Sequence, residues 1–247
     1  MLKKSLFVLL GATLAWASVA FSADTKPGIE TVKAAFPGLS ADEIHETPVD
    51  GWFEIMLGAK VAYVSADAKY VMRGDLIELA TNFNHTEARM NGARVDALAA
   101  VNDDEAITFS PANVKHSMTV FTDIDCGYCR KLHGEIADLE KLGVEVKYLF
   151  FPRAGPGTAS WEKAESVWCA DDRNAAMTAA KAGKPVEPKA CGDEAIAQQY
   201  ALGRQVGLTG TPTIVTESGE IISGYLPAQR LVARLEQSMK TSAAASK

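Results

Sequence analysis

The first third of the chain alternates between apolar and polar residues in short runs. Between residues 52 and 79, four such runs are separated by turn residues, a pattern typical of half-buried β-strands. The predicted strands cover 52–57, 61–64, 70–72 and 76–79. A helix is predicted ahead of them over 28–35, because Pro37 and Gly38 would end it. A unit of about 60 residues buries only a small core and is often stabilised by pairing with another unit.

After this unit the pattern becomes helical, from residue 85 to residue 101. Its apolar residues recur at intervals of three or four and alternate with charged ones. They are Met90, Ala93, Ala97, Leu98 and Val101. The segment is predicted to be a helix that links two bodies. Two placements are open: a free spacer, or a helix that packs onto one of the bodies.

The second half of the chain predicts a mixed sheet covered by helices. A strand at 118–122 is followed by a helix over 126–142, ended by Gly143, and by a second strand over 144–151. Two helical segments, a hairpin around Ser218-Gly219 and a last helix opening at Pro227 come next. The helical segments cover 158–182 and 193–206, and the hairpin strands cover 213–215 and 220–222. This order predicts an α+β chain with a thioredoxin-like domain that carries a helical insertion.

The N-terminus has the pattern of an export signal. Lys3 and Lys4 precede an apolar run over 6–20, and small residues follow up to Ala23, which is typical of a secretory signal peptide rather than a membrane anchor. Cleavage is expected between Ala20 and Ala23. The remaining chain has 23 basic and 31 acidic residues, a net charge of −8, which argues against a nucleic-acid partner. Export places all four cysteines in an oxidising compartment, where two disulfides are the default expectation.

The strongest chemical signal is the motif Cys126-Gly127-Tyr128-Cys129 at the predicted strand–helix junction. Free backbone N–H groups and the helix dipole favour an anion at a helix N-terminus, so the pKa of Cys126 should fall and thiolate should be available. Cys129 lies one turn deeper on the same face, placed to attack a mixed disulfide formed at Cys126. Gly127 leaves room for a substrate backbone near the sulfur.

The motif has three other interpretations. A structural zinc site needs a second close pair of ligands, which His133 alone does not supply. Covalent haem attachment needs a histidine after the second cysteine, where Arg130 stands. An inert structural disulfide stays open, although a CxxC at a strand–helix junction favours redox chemistry. The sequence predicts no metal ion and no cofactor.

Two further features bear on the site. Cys169 and Cys191 would close a loop of about 20 residues, and a structural disulfide between them would contribute roughly 3 kcal/mol; two free thiols are the alternative. Thr211-Pro212 precedes the predicted hairpin, where Pro212 is either a cis proline that exposes the preceding backbone or an ordinary turn proline.

Several segments together resemble the DsbC/DsbG family of bacterial periplasmic disulfide isomerases, and its DsbC branch in particular. The resemblance is dense in the second half of the chain and weaker, in layout more than in motif, in the first. The matching segments are 121–129, 131–133, 151–153, 168–170, 200–203, 210–212 and 224–225. The Gly-Tyr between the cysteines is closer to the isomerase than to the Pro-Tyr of the DsbG branch.

The resemblance implies a complete architecture and mechanism. Two chains would pair through their N-terminal domains into a V with an apolar, chaperone-like cleft. Cys126 would attack, Cys129 would resolve, and Thr211 before a cis Pro212 would bind the substrate backbone, with Gly127 and Tyr128 facing the same substrate. A membrane thiol reductase of the DsbD type would keep the pair reduced, and Cys169–Cys191 would match the family's structural disulfide.

On this basis the chain divides into five parts. The predicted parts are a signal peptide (1–23), an N-terminal α+β dimerisation domain (24–84), a linker helix (85–105), a thioredoxin-like catalytic domain (106–240) and a disordered tail (241–247). The predicted function is a periplasmic isomerase that reshuffles wrong disulfides in misoxidised exported proteins. The alternatives are a DsbG-like reductase of oxidised single cysteines and a non-enzymatic holdase.

One position departs from the family pattern. Asp125 stands directly before Cys126, where the family usually carries a small neutral residue such as threonine. A carboxylate there is expected to raise the pKa of Cys126, and Arg130 is expected to lower it.

Overall fold

The computed structural model describes residues 27–57, 60–192 and 194–245. The predicted signal peptide at 1–23 lies outside the described residues. Among the helices of the described part, none combines the length and the apolar character that crossing a membrane requires.

The N-terminal unit is a four-stranded antiparallel sheet with one helix on it. Helix α1 comes first, and strands β1 to β4 follow in sheet order β1-β2-β3-β4. Their bounds are Pro27–Ala35 for α1, Ile44–Glu46 for β1, Trp52–Leu57 for β2, Lys60–Ser65 for β3 and Val71–Met72 for β4. The buried core is small and consists of Val32, Ile44, Phe53, Ile55, Ala62 and Val64. Strand β1 was not predicted, because it has three residues and only one is buried.

A short hairpin leads into the linking helix α2, His85–Ala99. Its strands are β5, Ile77–Glu78, and β6, Phe83–Asn84. The Asn84 side chain accepts a hydrogen bond from the Glu87 N–H and so caps the helix. This cap explains why the helix begins where the sequence pattern changes.

Helix α2 contacts both halves of the chain and is not a free spacer. Near its start, the hydroxyl of Thr86 bonds that of Tyr63 on β3. Farther along, Arg94 donates to the backbone carbonyl of Gly219 at 3.2 Å. A Cβ on Gly219 would lie 2.0 Å from the carbonyl oxygen of Asn91, so only glycine fits at this contact. The helix is therefore packed against the second half of the chain. Of the two placements that the sequence leaves open, the structure has the packed helix and not the free spacer.

The second half contains a five-stranded mixed sheet in the order β11-β10-β8-β9-β7. Strands β8 and β9 are parallel, and the other neighbours are antiparallel. The strands are Ile107–Phe109 (β7), His116–Thr122 (β8), Val144–Phe150 (β9), Thr213–Thr216 (β10) and Ile221–Ser223 (β11). This is the predicted α+β, thioredoxin-like arrangement, with the hairpin around Ser218-Gly219 in place. Strand β7 was not anticipated.

In the described part of the second half, six helices flank this sheet. They are Gly127–His133 (α3), Ile136–Lys141 (α4), Ala159–Trp168 (α5), Arg173–Lys181 (α6), Glu194–Gln205 (α7) and Ala228–Ala245 (α8). Helices α5 to α7 lie between β9 and β10 and form the helical insertion. The predicted helix over 126–142 is instead two helices, because Glu135 accepts hydrogen bonds from the Tyr225 hydroxyl at 2.6 Å and the Ala228 N–H at 3.2 Å. Glu135 thus caps α8, and the chain bends beside Gly134.

The C-terminal prediction also differs from the structure. Residues 241–247 were assigned to a disordered tail, whereas α8 continues to Ala245. Alanine has the highest helix propensity, and no glycine or proline interrupts the segment. The last two residues lie outside the described part.

Candidate active site

Cys126 lies at the carboxyl end of strand β8, where the chain turns into α3. It is the N-cap residue of α3, and its carbonyl accepts the first helical hydrogen bond from the Arg130 N–H at 3.0 Å. In the turn that precedes α3, the Cys126 N–H donates to the carbonyl of Asp123 at 3.2 Å. This tight turn holds the sulfur at the helix start, as the sequence predicts.

Cys126 and Cys129 are both free cysteines and are 3% and 1% exposed. Burial raises the pKa of Cys126, but hydrogen bonds from Thr211 and from the backbone and thiol of Cys129, with the charge of Arg153, outweigh it. The pKa of Cys126 therefore lies below its ordinary value. Burial is stronger at Cys129 and raises its pKa above the ordinary value, although the charge of Lys181 opposes the shift.

Thr211 and Pro212 lie beside Cys126, although 85 residues separate them from it in sequence. The Cys126 thiol donates to the Thr211 carbonyl at 3.2 Å, and the peptide bond between Thr211 and Pro212 is cis. The buried Thr211 hydroxyl has no hydrogen-bond partner among the described residues. A thiolate at Cys126 would be an acceptor for this hydroxyl, and hydrogen bonding by Thr211 lowers the pKa of Cys126.

The surface at Gly127 and Tyr128, next to Cys126, is open. Tyr128 is 65% exposed. A Cβ on Gly127 would have no neighbour among the described residues within 4 Å, so packing does not require glycine there. The open space over Gly127 therefore leaves room for another chain to approach Cys126.

The charge of Asp125 is compensated. Its carboxylate accepts hydrogen bonds from Lys163 at 2.8 Å and 2.9 Å and from Arg130 at 3.1 Å. Arg130, which was expected to lower the pKa of Cys126, pairs with Asp125, and the charge of Arg153 lowers the pKa of Cys126. The lowered pKa of Cys126 shows that Asp125 does not dominate the site.

Asp123 organises the loop before Cys126, a role that the sequence analysis did not assign. Its carboxylate accepts hydrogen bonds from the Ser160 hydroxyl at 2.6 Å, the Asp125 N–H at 2.8 Å and the Arg153 N–H at 2.9 Å. Burial raises the pKa of Asp123, but these hydrogen bonds outweigh it and hold the pKa below its ordinary value. Asp123 therefore stays ionised and keeps Arg153 beside the sulfurs. The only sequence signal for it was its place in the family motif.

Lys181, at the end of α6, was also missed. It is 4% exposed, and burial lowers its pKa to about 8. A lysine in the last turn of a helix normally faces solvent, so no sequence signal marked it.

His133 is a core residue. Its ring nitrogens each lie 3.2 Å from a hydroxyl, those of Tyr148 and Thr178. Burial and the charge of Lys181 lower its pKa to about 4, so it is neutral.

Cys169 and Cys191 form a disulfide, with their Cα atoms 5.7 Å apart. Cys169 is the C-cap residue of α5, and Cys191 lies in the loop before α7. The bond ties this loop to the inserted helices.

Comparison with known proteins matches both halves of the chain. Residues 103–238 match the family described as a thioredoxin-like domain. Residues 19–87 match the disulfide bond isomerase protein N-terminal domain.

Whole-chain relatives give the same assignment. The chain is 38% identical over 203 residues to the thiol:disulfide interchange protein DsbC of Salmonella typhimurium, covering 82% of this chain and 84% of that protein. It is 36% identical over 204 residues to DsbC of Escherichia coli, with the same coverage. A crystal structure of a disulfide interchange protein from Neisseria gonorrhoeae aligns with a TM-score of 0.50 and 32% identity over 56% of this chain and 97% of that one. The chain therefore belongs to the DsbC family of thiol:disulfide interchange enzymes.

Proposed function

We propose that this enzyme is a periplasmic disulfide isomerase in which Cys126 is the nucleophile and Cys129 the resolving thiol. The observation that carries the proposal is the position of two free cysteines within one turn at the start of α3, with Cys126 beside the cis Thr211–Pro212 bond. The pKa of Cys126 is lowered and that of Cys129 is raised. At neutral pH Cys126 is thus more readily ionised than Cys129. Cys129 stays protonated until the step in which it displaces the substrate.

The reaction follows from this order. The Cys126 thiolate attacks a wrong disulfide in an exported protein, and a mixed disulfide forms while one substrate sulfur leaves as a thiolate. A second substrate thiolate can then displace Cys126, which reshuffles the disulfide and regenerates the enzyme. Alternatively Cys129 displaces the substrate, which leaves the substrate reduced and the enzyme oxidised. A DsbD-type membrane thiol reductase would return the oxidised pair to the dithiol.

Substrate would bind in the open space over Gly127 and Tyr128, against Thr211 and Pro212. Backbone groups of an extended substrate segment would face the Thr211 backbone, since Thr211 already lies within hydrogen-bonding distance of the Cys126 sulfur. Recognition through backbone atoms suits an enzyme that must accept many different misfolded chains.

The N-terminal unit is proposed to pair with a second copy of the chain. Strand β4 is at the edge of its sheet, and five apolar residues in it or close to it in sequence are exposed. They are Tyr70, Val71, Met72, Ile77 and Leu79, of which Leu79 is 95% exposed. An apolar sheet edge over a small core is a surface that a partner strand covers. Pairing would place two Cys126 sites around one cleft that holds misfolded chains; light scattering that found only monomers would overturn this assignment.

The decisive experiment replaces Cys126 by alanine. The variant is expected to lose the rescue of a scrambled multi-disulfide protein, because no mixed disulfide can form. The matched control is Ser166→Ala, an equally small change on the inserted helix α5 whose side chain bonds only its own helix. Undiminished rescue by the Cys126 variant would instead indicate a holdase. Reduction of a sulfenic acid without rescue of the scrambled protein by the unmodified enzyme would indicate a DsbG-like reductase.

A further inference from the structure

Lys181 brings a positive charge into the protein interior beneath the two cysteines. Its ammonium donates hydrogen bonds to the Thr122 hydroxyl at 2.7 Å and to the Asp123 carbonyl at 2.9 Å. Both acceptors are neutral oxygens, and Lys181 takes part in none of the ion pairs found in the described part of the chain. A buried ammonium without a carboxylate partner lowers the stability of the fold. Lys181 is therefore a candidate for a functional role.

The hydrogen bonds of Lys181 lead to the inner sulfur. The hydroxyl of Thr122, the last residue of β8, accepts from Lys181, and hydrogen bonding by the same side chain lowers the pKa of Cys129. The backbone N–H of Asp123 lowers the pKa of Cys129 in the same way. Thr122 therefore acts on Cys129 while it holds Lys181, and the charge of Lys181 also favours a negative charge on the Cys129 sulfur.

The other charged groups around Lys181 are engaged or neutral. The Asp123 carboxylate is held by Ser160 and Arg153. Arg130 on α3 pairs with Asp125.

Two further titratable groups near Lys181 are neutral. The cysteines are therefore the groups near Lys181 whose charge changes during the reaction. His133 is neutral because burial and Lys181 lower its pKa to about 4. The buried Tyr148 hydroxyl is neutral because burial, and then the Cys129 charge, raise its pKa.

We propose that Lys181 is a positioning residue for the resolving step, in which its ammonium, through the Thr122 hydroxyl, stabilises the Cys129 thiolate as it displaces the substrate. The proposal rests on the assignment of Cys126 and Cys129 as nucleophile and resolving thiol. In this step the bond between Cys126 and the substrate sulfur breaks, and the Cys126–Cys129 disulfide forms. The substrate sulfur leaves with the electron pair and overall receives the proton that Cys129 loses. The protein dithiol is oxidised by two electrons and the substrate disulfide is reduced.

The test is the substitution Lys181→Met, which keeps the length of the side chain and removes its charge. Reduced protein is mixed with a peptide disulfide, and the decay of the mixed disulfide is followed by acid quench and mass spectrometry between pH 5 and 9. Decay at pH 7 is expected to slow about tenfold, and its pH profile to move up by about one unit, so that high pH restores the rate. A lysine that only fills space would not move the pH profile.

Two further variants make the test specific. Lys141→Met, on α4 with a side chain 74% exposed, is the matched control and is expected to behave as the unmodified enzyme. Thr122→Val keeps the ammonium but removes the link, and it is expected to slow decay as well. If Lys181→Met does not fold, Thr122→Val carries the same test.

The outcomes are separable from those of the proposed function. Decay rates and pH profiles equal to those of Lys141→Met, in folded Lys181 and Thr122 variants, would overturn the role of Lys181. Failure of the unmodified enzyme to form any mixed disulfide would overturn the proposed function itself.

Discussion

The two cysteine pairs of this chain have opposite environments and opposite states. Cys169 is half-buried and Cys191 is exposed, yet they are joined in a disulfide. Cys126 and Cys129 are almost fully buried, yet both are free thiols. Exposure therefore does not separate a structural pair from a reactive one in this protein. The difference is in the groups around the sulfurs, because hydrogen bonds and cations lower the pKa of Cys126 although burial alone would raise it.

The comparison also shows how spacing divides the two tasks. Cys126 and Cys129 lie within one turn of a helix start, so a disulfide between them would constrain only a very short segment of chain. Cys169 and Cys191 are 22 residues apart and close a loop in the helical insertion. Loop closure contributes more stability when the loop is longer. The first pair is suited to exchange and the second to stability.

Among variants that test the contrast between the reactive and the structural cysteine pair, Cys129→Ala is expected to have the largest effect. Without the resolving thiol, a substrate that does not rearrange cannot be released, so mixed disulfides at Cys126 should accumulate. Net reduction of substrate disulfides should fall by two orders of magnitude or more, on the order expected for loss of a reacting group. Non-reducing gels and mass spectrometry of the trapped species measure this. Free turnover of reducible substrate by the variant would contradict the division of roles between the two thiols.

An effect of intermediate size is expected from the double variant Cys169→Ala, Cys191→Ala. Its free energy of unfolding should fall by about 3 kcal/mol, because the unfolded chain regains the freedom of the open loop. Urea denaturation measures the loss. The alkylation rate of Cys126 in the folded variant should stay unchanged. A lost or strongly altered Cys126 reactivity would show that the two pairs are coupled through the inserted helices.

The smallest effect is expected from Asp125→Asn, read out as the pH dependence of Cys126 alkylation. Because the pKa of Cys126 is lowered, the thiolate forms and the alkylation rate rises at lower pH in the folded protein than in the denatured chain. Removing the Asp125 charge leaves Lys163 and Arg130 unpaired and should move this midpoint down by less than about one unit. Lys163→Met is the opposing variant and should move it up. A shift of several units in either variant would mean that Asp125, not Arg153 and Thr211, governs the site.

Much of the fold was accessible from sequence because its signals are local. Strand β8 and the hairpin of β10 and β11 follow from apolar runs and turn residues, and the linking helix follows from its periodicity. The break between α3 and α4 was missed because it depends on Glu135, whose carboxylate caps a helix about 90 residues later in the chain. The very short strands β1 and β6 were missed because strand pairing, not residue pattern, defines them.

By itself the sequence determined the positions of the two candidate sulfurs, since a CxxC motif after an apolar strand places them at a helix start through local geometry alone. Only the tertiary structure decided how those sulfurs are tuned. Thr211, Arg153 and Lys181 come from distant parts of the chain and meet at the carboxyl end of β8. A charge acts on a thiol over a few ångströms of space whatever the separation along the chain, so folding alone could bring these groups within range.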